Sequence, residues 1–135
     1  MRVFYAGETG KLESSELPPY FKKTLSPTPG TGDSYGDEVE YDKTCGAIVL
    51  LGGEVVFGGT FATDETATIK ITAYYNDGTS AYIEKSATAT GTTVLTLGDI
   101  LDLVKDGKLI YKIGAASKSD QSSTDVTTSV NIYGL

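Results

Sequence analysis

Apolar and polar positions alternate along most of this chain, most clearly between Thr66 and Thr88. Ile69, Ile71, Ala73 and Tyr75 interleave with Thr68, Lys70, Thr72 and Tyr74, the period of a strand with one buried face. Asn76-Asp77-Gly78 follows, and Gly78 is able to take the positive φ of a tight turn. Ala81 and Ile83 then alternate with Tyr82 and Glu84 on the return. The stretch predicts a β-hairpin. A lone hairpin is marginal in water, so other segments must cover its apolar face.

The flanking patterns supply that cover. Ala47 to Leu51 is a continuous apolar run, which predicts a strand buried on both faces and ended by Gly52-Gly53. Glu54 to Ala62 predicts a strand with Val55, Phe57 and Phe61 inward and a bulge or bend at Gly58-Gly59. Thr92 to Leu97 alternates again. Gly98 to Val104 is the one helical candidate, with Asp99 as its cap and Asp106-Gly107 as its stop. Lys108 to Ala116 predicts a strand with Leu109, Tyr111 and Ile113 on one side and Ile110 and Lys112 on the other. A polar loop follows from Ser117 to Asp125, and Val126 to Tyr133 predicts a last strand with Thr128, Val130 and Ile132 facing one way.

Seven or eight strands joined by short turns predict an all-β, antiparallel two-sheet sandwich, with a small closed barrel as the alternative. Parallel α/β architecture is disfavoured, because no connection is long enough for a crossover helix. The expected core is Ile69, Ile71, Ile83, Leu109, Ile113, Val130 and Ile132.

Residues 1–42 read differently from 43–135. All four prolines fall there, at Pro18, Pro19, Pro27 and Pro29, with a Gly30-Thr31-Gly32 link, and such a segment resists helix and central strand. The reading is an extended N-terminal arm on a 43–135 sandwich domain. Phe4, Tyr5, Tyr20 and Phe21 are its anchors, docking either on its own domain or on a neighbouring subunit. Five carboxylates crowd Gly32 to Asp42, without the ligand offsets of a calcium loop. Alternation there predicts a strand with Val39 and Tyr41 inward and Glu38, Glu40 and Asp42 in water.

Composition narrows the chemistry. The 135 residues fit one domain, and the formal charge of −7 repels phosphate backbones, so nucleic acid is not an expected partner. Histidine is absent, and with it the commonest general base and metal ligand. Cys45 is the single cysteine, beside an apolar run, and reads as a small buried hydrophobe rather than a nucleophile. No serine sits in a nucleophile elbow and no phosphate-binding loop occurs. No metal or cofactor is expected, and enzyme chemistry is not. No apolar run is long enough to span a bilayer, and the Met-Arg-Val-Phe-Tyr start lacks the apolar core of a secretion signal, so no membrane contact is expected.

Four stretches, ATIKITAYYNDGTSAYIEKSAT, TTVLTLGDIL, GKLIYKIGAAS and VTTSVNIYGL, carry a resemblance to the galactose-binding-type jelly-roll sandwich. That sandwich is seen in carbohydrate-binding modules and in virus and phage structural proteins. The resemblance implies a capsid, turret or decoration subunit located in the virion, partnered by itself and by other virion proteins. Its alternative implication is an extracellular or cell-surface carbohydrate-binding module, in which the outward-facing Tyr74, Tyr82 and Tyr133 would stack on sugar rings.

Overall fold

The hairpin forms where the alternation places it. In the computed structural model, which describes residues 20–43 and 46–135, its strands are β4 (Ala67–Tyr75) and β5 (Ser80–Ala87). Gly78 turns between them at φ +87, with Tyr75 N–H donating to Thr79 O at 2.9 Å. Around this tip the chain adds strands in nested antiparallel pairs. β3 (Leu50–Thr60) pairs with β6 (Gly91–Val94), β2 (Val39–Asp42) with β7 (Ile110–Ser119), and β1 (Phe21–Leu25) with β8 (Asp125–Gly134). The chain is thus one long ribbon doubled at the hairpin turn. Rolling it brings β3 against β8 and β4 against β7. Two four-stranded sheets result, β1-β8-β3-β6 and β2-β7-β4-β5, and an eight-stranded ribbon rolled into two sheets in this way is a jelly roll.

The core lies between the sheets. Ile69, Ile71, Ala73, Tyr75 and Ile83 of the hairpin join Val55, Phe57, Ile113, Val126, Val130 and Ile132 in one buried cluster. Six of the seven expected core residues are buried, and Leu109 is not: it is 57% exposed. The reason is a bulge. Tyr74 pairs with Lys112 while the next residue, Tyr75, pairs with Ile110, so Tyr111 is an extra residue on β7. That residue reverses the parity, turning Ile110 inward and leaving Leu109 and Tyr111 outside.

Other expectations change for equally local reasons. β3 runs straight through Gly52-Gly53, with a register shift between Leu50 and Gly52. Val49 and Leu51 are consequently exposed, so the Ala47–Leu51 run is not a strand buried on both faces. β7 extends to Ser119, shortening the expected polar loop. Val39 keeps the inward parity of Tyr41 but lies exposed on an edge strand.

The described part of the arm is woven into both sheets: β1 is an edge strand of one and β2 of the other. The described prolines do not oppose this, because Pro27 and Pro29 fall in the crossover between the two strands. Pro27 is buried, and its carbonyl accepts from Thr128 Oγ1 at 2.9 Å. Cys45, Phe4 and Tyr5 lie outside the described residues.

Helix α1 (Leu97–Leu103) crosses from β6 to β7. Its N-cap is Thr96 rather than Asp99. The Thr96 hydroxyl accepts from Asp99 N–H at 3.1 Å while the Asp99 carboxylate accepts from Thr96 N–H at 2.9 Å, a reciprocal capping box. Ile100 and Leu103 are buried, and the Tyr75 hydroxyl donates to Leu103 O at 2.5 Å. Replacing Tyr75 by Phe is expected to cost about 1 kcal/mol and to speed amide exchange in α1 selectively. Chemical denaturation and hydrogen exchange check this.

At the far end of the sandwich Glu65 is a buried carboxylate, 1% exposed. It accepts from Ala62 N–H at 2.8 Å, Ser119 Oγ at 2.5 Å and Thr124 Oγ1 at 2.6 Å, tying two loops together.

Candidate interaction surfaces

The alternation that buries Ile69 and Ile71 turns Lys70, Thr72 and Tyr74 to the outer face of the β2-β7-β4-β5 sheet. There each lysine lies over aromatic rings. Lys70 Nζ is 4.5 Å from the Tyr35 ring and 5.6 Å from that of Tyr82. Lys112 Nζ is 4.5 Å from the Tyr74 ring, and Lys118 Nζ is 4.9 Å from Tyr35. Carboxylates complete the lattice. Lys112 pairs with Glu40 at 2.6 Å and Lys118 with Asp33 at 3.1 Å. Tyr74 donates to Glu38 at 2.6 Å, and Tyr35 donates to Glu84. Gly114 makes room for this, because a Cβ there would meet Glu38 Cδ at 2.3 Å.

Chemically the lattice is self-neutralised. Burial, and then the neighbouring carboxylate, push the Tyr35 and Tyr74 phenols well above their ordinary range. The Lys112 hydrogen bond holds Glu40 low, and Glu40 in turn holds Lys112 high. Such groups keep their charge states across neutral pH and suit rigid recognition better than proton transfer. Tyr82, 59% exposed, is the open ring of the face.

The three expected ligand-facing tyrosines do not converge. Tyr74 and Tyr82 share this face, since Tyr82 pairs with Thr72 and Tyr74 with Ser80, but Tyr74 is committed to Glu38 and Lys112. Tyr133 lies on β8 in the other sheet, stacked on Tyr20 with centroids 6.3 Å apart and its hydroxyl 3.4 Å from Glu54. Of the arm anchors, Phe21 packs within its own chain, 5.3 Å from the Tyr41 ring and against Gly134. Tyr20 leans on Tyr133 and stays 64% exposed.

A third surface was not anticipated from the sequence. Leu97, Leu101 and Val104 follow one another along one side of α1 and are exposed, while Ile100 and Leu103 face the core. Val104 also lines a cleft of about 180 Å³ with Ala47, Ile48, Val49, Leu50, Lys108, Leu109 and Ile110. Of this lining, Val49, Val104 and Leu109 are themselves exposed. A trace was present in the chain. The stretch Leu97-Gly-Asp-Ile-Leu-Asp-Leu-Val104 has apolar residues for two sides of a short helix, and only one side can meet the core.

Among the described residues no group of three or more His, Cys, Asp or Glu side chains is placed to hold a metal, and no helix is long and apolar enough to cross a membrane. No protein-family model matches the chain, no curated protein matches it, and no solved structure matches it. The class is therefore defined by architecture: an antiparallel jelly-roll sandwich with one polar, lysine- and tyrosine-rich sheet face and one apolar end. A jelly roll by itself hosts many functions, so function must be argued from these surfaces.

Proposed function

We propose that this protein is a virion structural subunit, of capsid, turret or decoration type, that acts through assembly contacts and not through catalysis. The observation that carries the reading is the apolar end face, where exposed Val49, Val104 and Leu109 line a cleft and α1 adds exposed Leu97 and Leu101. Exposed apolar side chains grouped around a cleft are a feature of protein-contact surfaces. The jelly-roll topology and the resemblance of the strand segments to virus and phage structural proteins support the virion assignment. The charge of −7 suits an outer layer better than one touching packaged nucleic acid. Electron microscopy of concentrated protein tests the reading. Regular, closed assemblies are expected, and the double substitution Leu101→Glu, Leu109→Glu should abolish them. Both side chains are exposed, so the fold should survive the change.

A carbohydrate-binding role is the second reading, and its specific support is the open Tyr82 ring beside Lys70. It needs a ring surface that Tyr74 and Tyr133 do not extend. An oligosaccharide titration in which Tyr82→Ala removes binding would favour it over assembly.

A further inference from the structure

Each sheet ends in two edge strands, and an edge strand carries a row of N–H and C=O groups that another strand can join. Three of the four edges carry charges that discourage such pairing. β1 has exposed Lys22 and Lys23, and β2 has exposed Glu40 and Asp42. β5 has Glu84 and Lys85, and Lys85 is paired with Asp99 of α1 at 2.8 Å. β6 has no charge. It is Gly91-Thr92-Thr93-Val94, exposed at every residue, and it lies in Ser86 to Gly98, the longest stretch of the chain without a charged residue. Its open side follows from its pairing. Leu95 N–H donates to Gly53 O at 2.9 Å, so the alternation of an antiparallel ladder turns the backbone groups of Thr93 and Gly91 to β3 as well. Thr92 and Val94 turn theirs outward, where no described strand meets them.

This edge is self-complementary. With two copies of β6 antiparallel across a two-fold axis at Thr93, Thr92 of each copy meets Val94 of the other in a hydrogen-bonded pair, and Thr93 meets Thr93. Cross-strand threonine pairs are favourable, and an uncharged seam brings no like charges together in a chain of net charge −7. A four-residue seam buries far less than the roughly 1,200 Å² of a stable pair, so it closes only between copies that another contact already holds. The end face supplies that contact. A single two-fold contact stops at a dimer, and a larger closed assembly requires a second one.

We propose that β6 pairs edge to edge with β6 of a second copy of this chain, joining two β1-β8-β3-β6 sheets into one continuous sheet within the assembly. This deepens the assembly reading and rests on it: the end face brings copies together, and the β6 seam is the second contact that lets the assembly grow past the first pair.

The test uses the full chain and two variants, Thr93→Lys and Thr93→Glu, with circular dichroism as the control for folding. Thr93 is exposed, so both variants should fold. Light scattering gives the concentration at which closed assemblies larger than a dimer first form. Each variant alone should raise that concentration about tenfold, because like charges then meet at the axis. An equimolar mixture of the two should bring it back towards the wild-type value, because Lys then faces Glu. Hydrogen exchange on the wild type needs no variant: the Thr92 and Val94 amides should exchange freely in dilute protein and slowly in the assembly, with Thr93 protected in both. Thr93→Lys assembling at the wild-type concentration overturns the proposal. So does a mixture that assembles no better than either variant, or Thr92 and Val94 amides that stay unprotected in the assembly. Failure of the end-face reading looks different: Leu101→Glu, Leu109→Glu would assemble like the wild type, whereas a failed seam leaves that variant monomeric and Thr93→Lys unaffected.

Discussion

Replacing Ile71 by Ala should lower stability by about 2–5 kcal/mol. Ile71 has no exposed surface, sits at the middle of β4, and pairs with Ile83 on one side and Ala115 on the other. β4 and β7 are the two central strands of their sheet, so neither neighbour can close in without moving a whole strand. The lost methylene and methyl groups therefore leave a cavity, and its cost adds to the lost transfer free energy. For a chain of this size the loss corresponds to a fall in melting temperature of roughly 8–20 °C. Val94→Ala, at an exposed position on an edge strand, serves as the control and should stay within about 0.5 kcal/mol. Calorimetry or chemical denaturation decides. An effect of Ile71→Ala no larger than the control's would mean that the hairpin's inner face is not the core.

The second large effect is expected at Glu65. Its carboxylate is held below the ordinary range by the Ala62 N–H, then by the Ser119 and Thr124 hydroxyls, against the opposing pull of burial. Removing it as Glu65→Ala leaves those donors facing a void and should cost on the order of 3 kcal/mol. A folded-state pKa below the unfolded one means that the unfolded chain binds the proton more readily. The stabilisation is thus complete above the unfolded value, about 4.3, and is lost as pH falls through the folded value. Wild-type stability should decline on acidification with a component that Glu65→Gln lacks, because the amide does not titrate. Denaturation curves between about pH 6 and 3 measure it. Identical pH slopes for the two proteins would remove Glu65 from the account.

The sequence was legible where structure is local. The β4–β5 hairpin is specified by a period of two and by Asn76-Asp77-Gly78, all within one short stretch, and the structure has it in that register. The outward direction of Tyr74 and Tyr82 is fixed by the same parity. The exposure of Leu109 is not legible locally, because parity on β7 depends on a bulge at Tyr111, and that bulge exists only through pairing with β4. The prolines of residues 1–42 point to an arm outside the sandwich. In fact the two described prolines interrupt only the crossover, leaving Phe21–Leu25 and Val39–Asp42 free to pair. Tyr133 could not be assigned to the opposite sheet from Tyr82, because sheet membership follows from how the ribbon rolls. The end face was illegible for the same reason: its cleft is assembled from residues 47–50, Val104 at the end of α1 and residues 108–110, which no sequence window joins.

The central claim, that this jelly roll works by assembling through its apolar end, is tested most directly by solution mass. Light scattering is measured from micromolar to millimolar concentration on the full chain and on Leu101→Glu, Leu109→Glu. The account predicts that the wild-type mass rises from the 14.2 kDa monomer to a defined multiple, while the charged variant stays at 14.2 kDa throughout. A wild type that remains monomeric at every concentration, or a variant that assembles equally well, would contradict it.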